Sequence, residues 1–201
     1  MLKVLTVAAL ALAALIAPLN SAAEQPGKKA PASKAAAAGW TIDARQSRIA
    51  FSTKWAGNGV NGTFRQWSGD IKFDPNNLAG SQAVITIMTG SAFTGVKEPD
   101  DNLATADWLD ARKFPTARYA TQSIRSVGPG RYVAEGILTV KGMNYRVPLP
   151  FTVAISGNVA TMTGQVKLDR VALKLGLESD SGAEWVARET VVNVAVRATR
   201  K

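Results

Sequence analysis

From Trp40 onward the hydropathy of this chain repeats every second residue, and that period restricts the fold more than any other feature. Successive side chains of an extended strand point to opposite faces, so alternation means strands with one face turned away from water. Residues 190–199 are the clearest case: Val192, Val194, Val196 and Ala198 share one face, Asn193 and Arg197 the other. The same pattern predicts strands over 40–43, 48–55, 63–74, 82–93, 116–127, 131–140, 145–156 and 159–168. Asn58-Gly59 with Asn61-Gly62, Asp74-Pro75-Asn76-Asn77, Gly128-Pro129-Gly130 and Lys141-Gly142 are the expected turns. Eight or nine strands joined in succession favour up-and-down neighbours, and full closure removes the edges that would template aggregation. The fold class is therefore all-β: an antiparallel barrel of about eight strands.

One stretch breaks the period. In 101–115, Asp100 or Asp101 can cap a first turn, and Leu103, Ala106, Trp108 and Leu109 form an apolar side at helical spacing before Phe114-Pro115 ends it. A short helix around Leu103 to Leu109 is expected, capping one end of the barrel.

Residues 1–23 look like a secretory signal peptide: Lys3, an apolar run over 4–16, then Pro18 and Ser21-Ala22-Ala23. The run is shorter than the roughly 20 residues a transmembrane anchor needs. Residues 24–39, rich in Ala, Pro and Lys, read as a disordered tether. The expected domain is 40–201, large enough for a self-sufficient core. An exported, periplasmic protein follows, and with no cysteine it can carry neither a disulfide nor a lipid thioether.

The formal charge of +9 falls to about +6 for the domain once Lys3, Lys28, Lys29, Lys34 and Glu24 are set aside, spread along the chain rather than clustered. No basic helix with interleaved aromatics suggests nucleic acid. A basic surface suits anionic lipid head groups better.

The absence of histidine and cysteine removes the triad, thiolate and usual transition-metal chemistries, so no catalytic residue, metal or cofactor is assigned and no enzyme activity is expected. Glu98, Asp100, Asp101, Asp107 and Asp110 lack calcium-loop spacing and read as helix-start acids. Asp169, Arg170, Glu178, Asp180 and Glu184 read as surface ion pairs. The remaining constellation is aromatic and apolar: Phe51, Trp55, Phe64, Phe93, Leu103, Trp108, Phe114 and Tyr119 are the candidate lumen or gate residues. Burying ten chain carbons stabilises a complex by roughly 8 kcal/mol, against about 0–1 for an exposed lysine on a phosphate. Affinity would come from the lumen, and a basic rim would only orient the ligand.

Several blocks carry a resemblance. Gly62-Thr63-Phe64, Ser68-Gly69, Phe73-Asp74, the run from Glu98 through Asp107-Trp108 to Pro115, 136–142 (GILTVKG) and Leu168-Asp169-Arg170 together resemble the YceI-like family of periplasmic polyisoprenoid-binding proteins. The resemblance implies a lipocalin-like barrel whose lumen takes a polyisoprenoid or other long-chain lipid; oligomeric state is left open, a dimer included. This chain departs from the family pattern at Arg48 or Trp55 and at Asn102, where histidine is common, at Pro99, where arginine is common, and in a 57–62 loop one residue short.

Overall fold

The computed structural model describes residues 37–201. The expected leader and most of the tether lie outside them. Ala37 is buried, and the Ala38 carbonyl accepts the Phe73 amide at 2.9 Å, so the barrel takes in the last residues of the sequence assigned to the tether.

Eleven strands follow in order: β1 (Gly39–Ile42), β2 (Arg48–Trp55), β3 (Asn58–Phe64), β4 (Trp67–Lys72), β5 (Gln82–Met88), β6 (Ala92–Phe93), β7 (Thr116–Gly128), β8 (Arg131–Val140), β9 (Met143–Ser156), β10 (Val159–Asp169) and β11 (Glu189–Arg200). Two predicted long strands, 63–74 and 82–93, are each broken once, and the expected gap between 40–43 and 48–55 is a short turn. A 3₁₀ turn at Ala44–Gln46 separates β1 from β2, a bend at Arg65-Gln66 separates β3 from β4, and a 3₁₀ turn at Thr89–Ser91 separates β5 from β6. The Asp43 carboxylate and Ser91 hydroxyl accept backbone amides at two of the breaks, so the interrupted ladder stays satisfied. Joined across these breaks, the strands make eight antiparallel staves in sequence order. β11 closes the ring, pairing with β10 along one edge and with β1 and β2 along the other.

The β9–β10 ladder runs only from Ser156↔Val159 to Phe151↔Gly164. The Val153 amide bonds the Gly130 carbonyl, so odd-numbered amides of β9 face β8 and even-numbered ones face β10. Beyond Phe151 the even positions include Pro150 and Pro148, which have no N–H to give, and pairing stops there.

Two apolar clusters close the ends. Trp40, Phe73, Tyr132 and Phe151 form a floor, with Tyr132 edge-on to Phe73 at 5.2 Å and stacked on Phe151 at 5.4 Å, and with the Trp40 indole donating to the Phe73 carbonyl at 2.9 Å. At the other end Leu109, Ala117, Val140 and Leu173 pack under the loops.

The turn chemistry differs from expectation at two places. The β2–β3 turn is Ala56-Gly57, both at positive φ, and Asn58-Gly59 and Asn61-Gly62 lie within β3. Gly62 stands opposite Phe51 because a Cβ there would come within 2.2 Å of the ring; its role is close approach, not a turn. Helix α1 is Lys97–Leu103, starting and ending earlier than the expected segment. Pro99 fits its first turn, where no amide is needed. The Asn102 side chain and Thr105 hydroxyl bond nearby carbonyls, and 104–114 continue as turns.

The excursion between β10 and β11 also corrects the surface reading of its charges. Asp169 and Arg188 form an exposed pair at 2.8 Å, but Arg170 and Asp180 are buried and bonded at 2.6 Å. Arg170 further donates to the carbonyls of Val186, Leu175, Gly176 and Asp180. Asp180 begins the turn after helix α2 (Leu177–Asp180) and accepts the amides of Glu184, Trp185 and Val186. Burial pushes its carboxyl up, but those amides and the guanidinium outweigh it and hold the pKa below the ordinary 3.8.

Two expectations follow. Gly62→Ala drives Phe51 off its seat and lowers unfolding stability by about 1–3 kcal/mol; urea titration shows the loss shrinking when Phe51→Leu is combined with it, since the two side chains share one space. Asp180→Asn leaves the buried guanidinium unpaired and costs about 3–5 kcal/mol at pH 7. A depressed carboxyl pKa stabilises the native state above the ordinary value and loses that contribution as pH falls through the folded-state value. The gap between wild type and Asp180→Asn therefore closes as pH is lowered from 3.8, measured by denaturation at successive pH values.

Candidate functional site

The inward faces of the staves enclose a hollow of about 310 Å³ above the floor, lined by residues such as Ile85, Leu138, Leu149, Val166, Val192 and Val194. A second space of about 220 Å³ lies under α1 and the 177–188 segment, lined by Trp55, Val60, Pro99, Asn102 and Trp185 among others. Phe51, Thr53, Leu103, Trp108 and Val186 border both spaces, so the second is the mouth of the first.

The hollow is widened where three of its rings lie against glycines. Phe51 covers Gly62, Tyr119 covers Gly136, and Trp108 covers Gly176, where a Cβ would approach the rings to 2.2, 2.3 and 2.7 Å respectively. Without side chains at those positions the aromatics lie against the wall instead of across the lumen.

Several of the polar groups on the lining are already engaged. The Tyr119 hydroxyl lies 3.0 Å from both the Ala134 and Val147 carbonyls, and burial, reinforced by Glu135, pushes its pKa up to about 12. Thr89 donates to the Phe114 carbonyl at 2.7 Å, and Thr121 accepts the Ala83 amide at 2.8 Å. The Arg170 guanidinium borders the hollow, 5.4 Å from the Trp108 ring, with Nε and both terminal nitrogens bonded to protein oxygens. Among the described residues, no buried side-chain nitrogen or oxygen lacks a partner. Such a space offers far more apolar area than directed hydrogen bonds.

Polar clamps set the mouth. The Asp107 carboxylate accepts the amides of Glu178 and Ser179 and the Ser179 hydroxyl. Burial raises its pKa, but these bonds and nearby Lys141 bring it below the usual carboxylate value. Lys141, at the tip of the β8–β9 hairpin, donates to the carbonyls of Ala106, Asp107 and Lys174, tying three loops together. Asp100 accepts the amides of Thr94 and Gly95, while Asp101 pairs with exposed Lys97. The helix-start acids thus serve local and interloop caps. Around the mouth, Glu98, Asp100, Asp101, Asp107, Asp110, Glu178, Asp180 and Glu184 are interspersed with Lys54, Arg65, Lys97, Arg112, Lys113, Lys141, Arg170, Lys174 and Arg188, so the rim is of mixed charge and not the basic rim expected.

Of the residues singled out in the sequence, Phe51, Phe64 and Tyr119 line the hollow, Leu103 and Trp108 stand between hollow and mouth, and Trp55 lines the mouth. Phe93 and Phe114 line neither. The register Thr63↔Phe93 and Phe64↔Ala92 puts Ala92 on the lumen side with Phe64, and Phe93 lies under the Arg65 guanidinium at 3.2 Å. Phe114 packs at the Gly142 hairpin tip. Sequence reasoning missed the Trp40, Phe73 and Phe151 floor, the Arg170 anchor and Trp185, which is 63% exposed at the mouth. Trp185 lies outside any period-two run, so alternation carried no signal for it. Pro99 and Asn102, two positions expected to depart from the family pattern, meet at this mouth with Trp55, one of the two alternatives for a third.

Comparison with known proteins agrees with this architecture. A model described as a YceI-like domain matches residues 40–198. A UPF0312 protein of Vibrio vulnificus strain YJ016 is 31% identical over 121 residues, covering 59% of this chain and 62% of that relative; the match thus spans about three fifths of the relative's length. The crystal structure of Burkholderia cenocepacia BcnA superposes with a TM-score of 0.76 at 31% identity, over 79% of this chain and all of that one. A polyisoprenoid binding domain from Saccharophagus degradans, implicated in plant cell wall breakdown, shares the fold at a TM-score of 0.64 and 13% identity, over 82% and 99% of the two chains. The eight-stave ring, the capped end and the 40–198 match together make this chain a member of the YceI-like domain family.

Proposed function

We propose that this protein is a non-catalytic carrier that holds one apolar lipid chain, an isoprenoid or a similar hydrocarbon, inside the barrel. The observation that carries the reading is the predominantly apolar hollow, in which no fully buried side-chain nitrogen or oxygen among the described residues is left without a partner. A carboxylate or phosphate placed there would lose its water for few partners, whereas each methylene placed there gains about 0.8 kcal/mol. A volume near 310 Å³ is at the small end of the roughly 300–1,000 Å³ usual for ligand sites, which favours a single slender chain with its polar end left at the mouth. The polyisoprenoid-binding neighbour supports the ligand class. Trp55, Pro99 and Asn102 support a head-group contact particular to this chain. The leader-like sequence over 1–23 supports a periplasmic location.

Native mass spectrometry of the protein purified from its own host tests the reading: a bound mass of hydrocarbon-rich composition is expected, and neither bound mass nor uptake of a fluorescent long-chain probe would refute it. Val192→Phe, which fills the hollow from a half-buried position, lowers probe affinity at least about tenfold while the circular dichroism spectrum is retained. Trp108→Ala opens the border between hollow and mouth and raises the probe's dissociation rate more than its association rate, read by stopped-flow fluorescence.

A further inference from the structure

The charges that are spread along the sequence are sorted in space. The mouth mixes the acids named above with a like number of bases, whereas the floor end collects Arg125 and Arg131 beside the β7–β8 hairpin and Arg197, Arg200 and Lys201 at the end of β11. Lys72, opposite Gly39 in the β1–β4 register, lies at the same end. Against these stand Asp43, Asp70 and Asp74, and Glu135, which takes up Arg125 at 3.5 Å from farther along the wall. The Asp43 carboxylate is occupied by the Arg45 amide and the Gln46 side chain, and that of Asp74 by the Asn76 amide. Arg131, Arg200 and Lys201 are exposed.

The hairpin between the two arginines ends in an apolar tip. Val127 is 47% exposed and Pro129 is exposed beside it, with Gly130 at a φ of 64° making the reversal. An exposed valine flanked by arginines is a small amphiphilic wedge: the bases meet anionic head groups and the side chain enters the boundary beneath them. Nucleic acid fits the same end less well, because its aromatic rings are inside. Trp40 and Tyr132 are 2% and 7% exposed and offer no stacking face.

We propose that the floor end of the barrel docks on an anionic lipid bilayer through Arg131, Arg200, Lys201 and the Val127 tip, so that the mouth faces away from the membrane. The interaction is independent of whether the hollow holds a lipid.

The test is co-sedimentation of the full chain with vesicles of phosphatidylcholine containing phosphatidylglycerol, against vesicles of phosphatidylcholine alone, over a range of salt. Binding is expected only with the anionic lipid and declines steeply with salt. Arg131→Glu with Lys201→Glu, both exposed and outside every ion pair among the described residues, weakens binding by more than about tenfold, since each base near such a surface contributes roughly fivefold. Lys97→Glu with Lys113→Glu makes the same change of net charge at the mouth end and leaves binding within twofold. Val127→Ser lowers the binding that remains at high salt. Equal losses from the two charge-reversal pairs would overturn the proposal by showing attraction to net charge alone. Equally tight binding to single-stranded DNA that is indifferent to Val127→Ser would overturn it in favour of a soluble polyanion.

Discussion

Closure of the sheet on itself is the constraint from which the rest of this structure follows. β11 is hydrogen-bonded along both edges, to β10 on one side and to β1 and β2 on the other. No long stave therefore stands as an open edge, and the inner faces of all eight look at one another across a single space. In a barrel of this size, side chains of ordinary volume can just fill that space. The floor does so with Trp40, Phe73, Tyr132 and Phe151. Above it the wall is Val, Ile, Leu and Ala, and the large rings are laid on glycines, so the same closure that fills one end leaves the other hollow.

The outer dimensions of this arrangement were legible in the sequence because period-two alternation is a property of single strands. The segment expected at 131–140 is β8 to the residue, and β7, β9, β10 and β11 differ from expectation by a residue or two at their ends. The breaks were not legible. Residues 63–74 alternate well enough to read as one strand, and only the requirement that one stave pair with both β2 and β1 on one side, and with both β5 and β6 on the other, explains the bend at Arg65-Gln66. Glycines misled for a related reason. Asn61-Gly62 has the composition of a turn, but its glycine answers a ring eleven residues earlier, a relation visible only after β2 and β3 are paired. Phe93 was misread in the same way, because nothing in a two-residue strand fixes which face it shows until its partner is known.

Charge followed a different logic. Arg170 and Asp180 are ten residues apart in a stretch rich in acids and glycines, a pattern usually worth little on a surface. Here the guanidinium and carboxylate are buried, and together they collect carbonyls and amides from both sides of the excursion, from Leu175 to Val186. The pair substitutes for the regular ladder that this segment lacks. A buried pair of this kind is weak evidence of added stability, and its value is in specifying one loop conformation among many.

That specification bears on how a ligand would be chosen. The Arg170 donors and the Asp180 and Asp107 carboxylates at the mouth are spent on the fold, and Lys141 bonds three carbonyls instead of standing free toward the opening. Selection at such a mouth rests on width and on the faces of Trp55, Trp108 and Trp185 more than on charge recognition. Affinity and access are then governed separately. In the proposed carrier, lumen area would set how tightly a chain is held, and the Asp107 and Lys141 clamps how far the loops must part before it leaves, so a substitution in one set would change the equilibrium and a substitution in the other the rate.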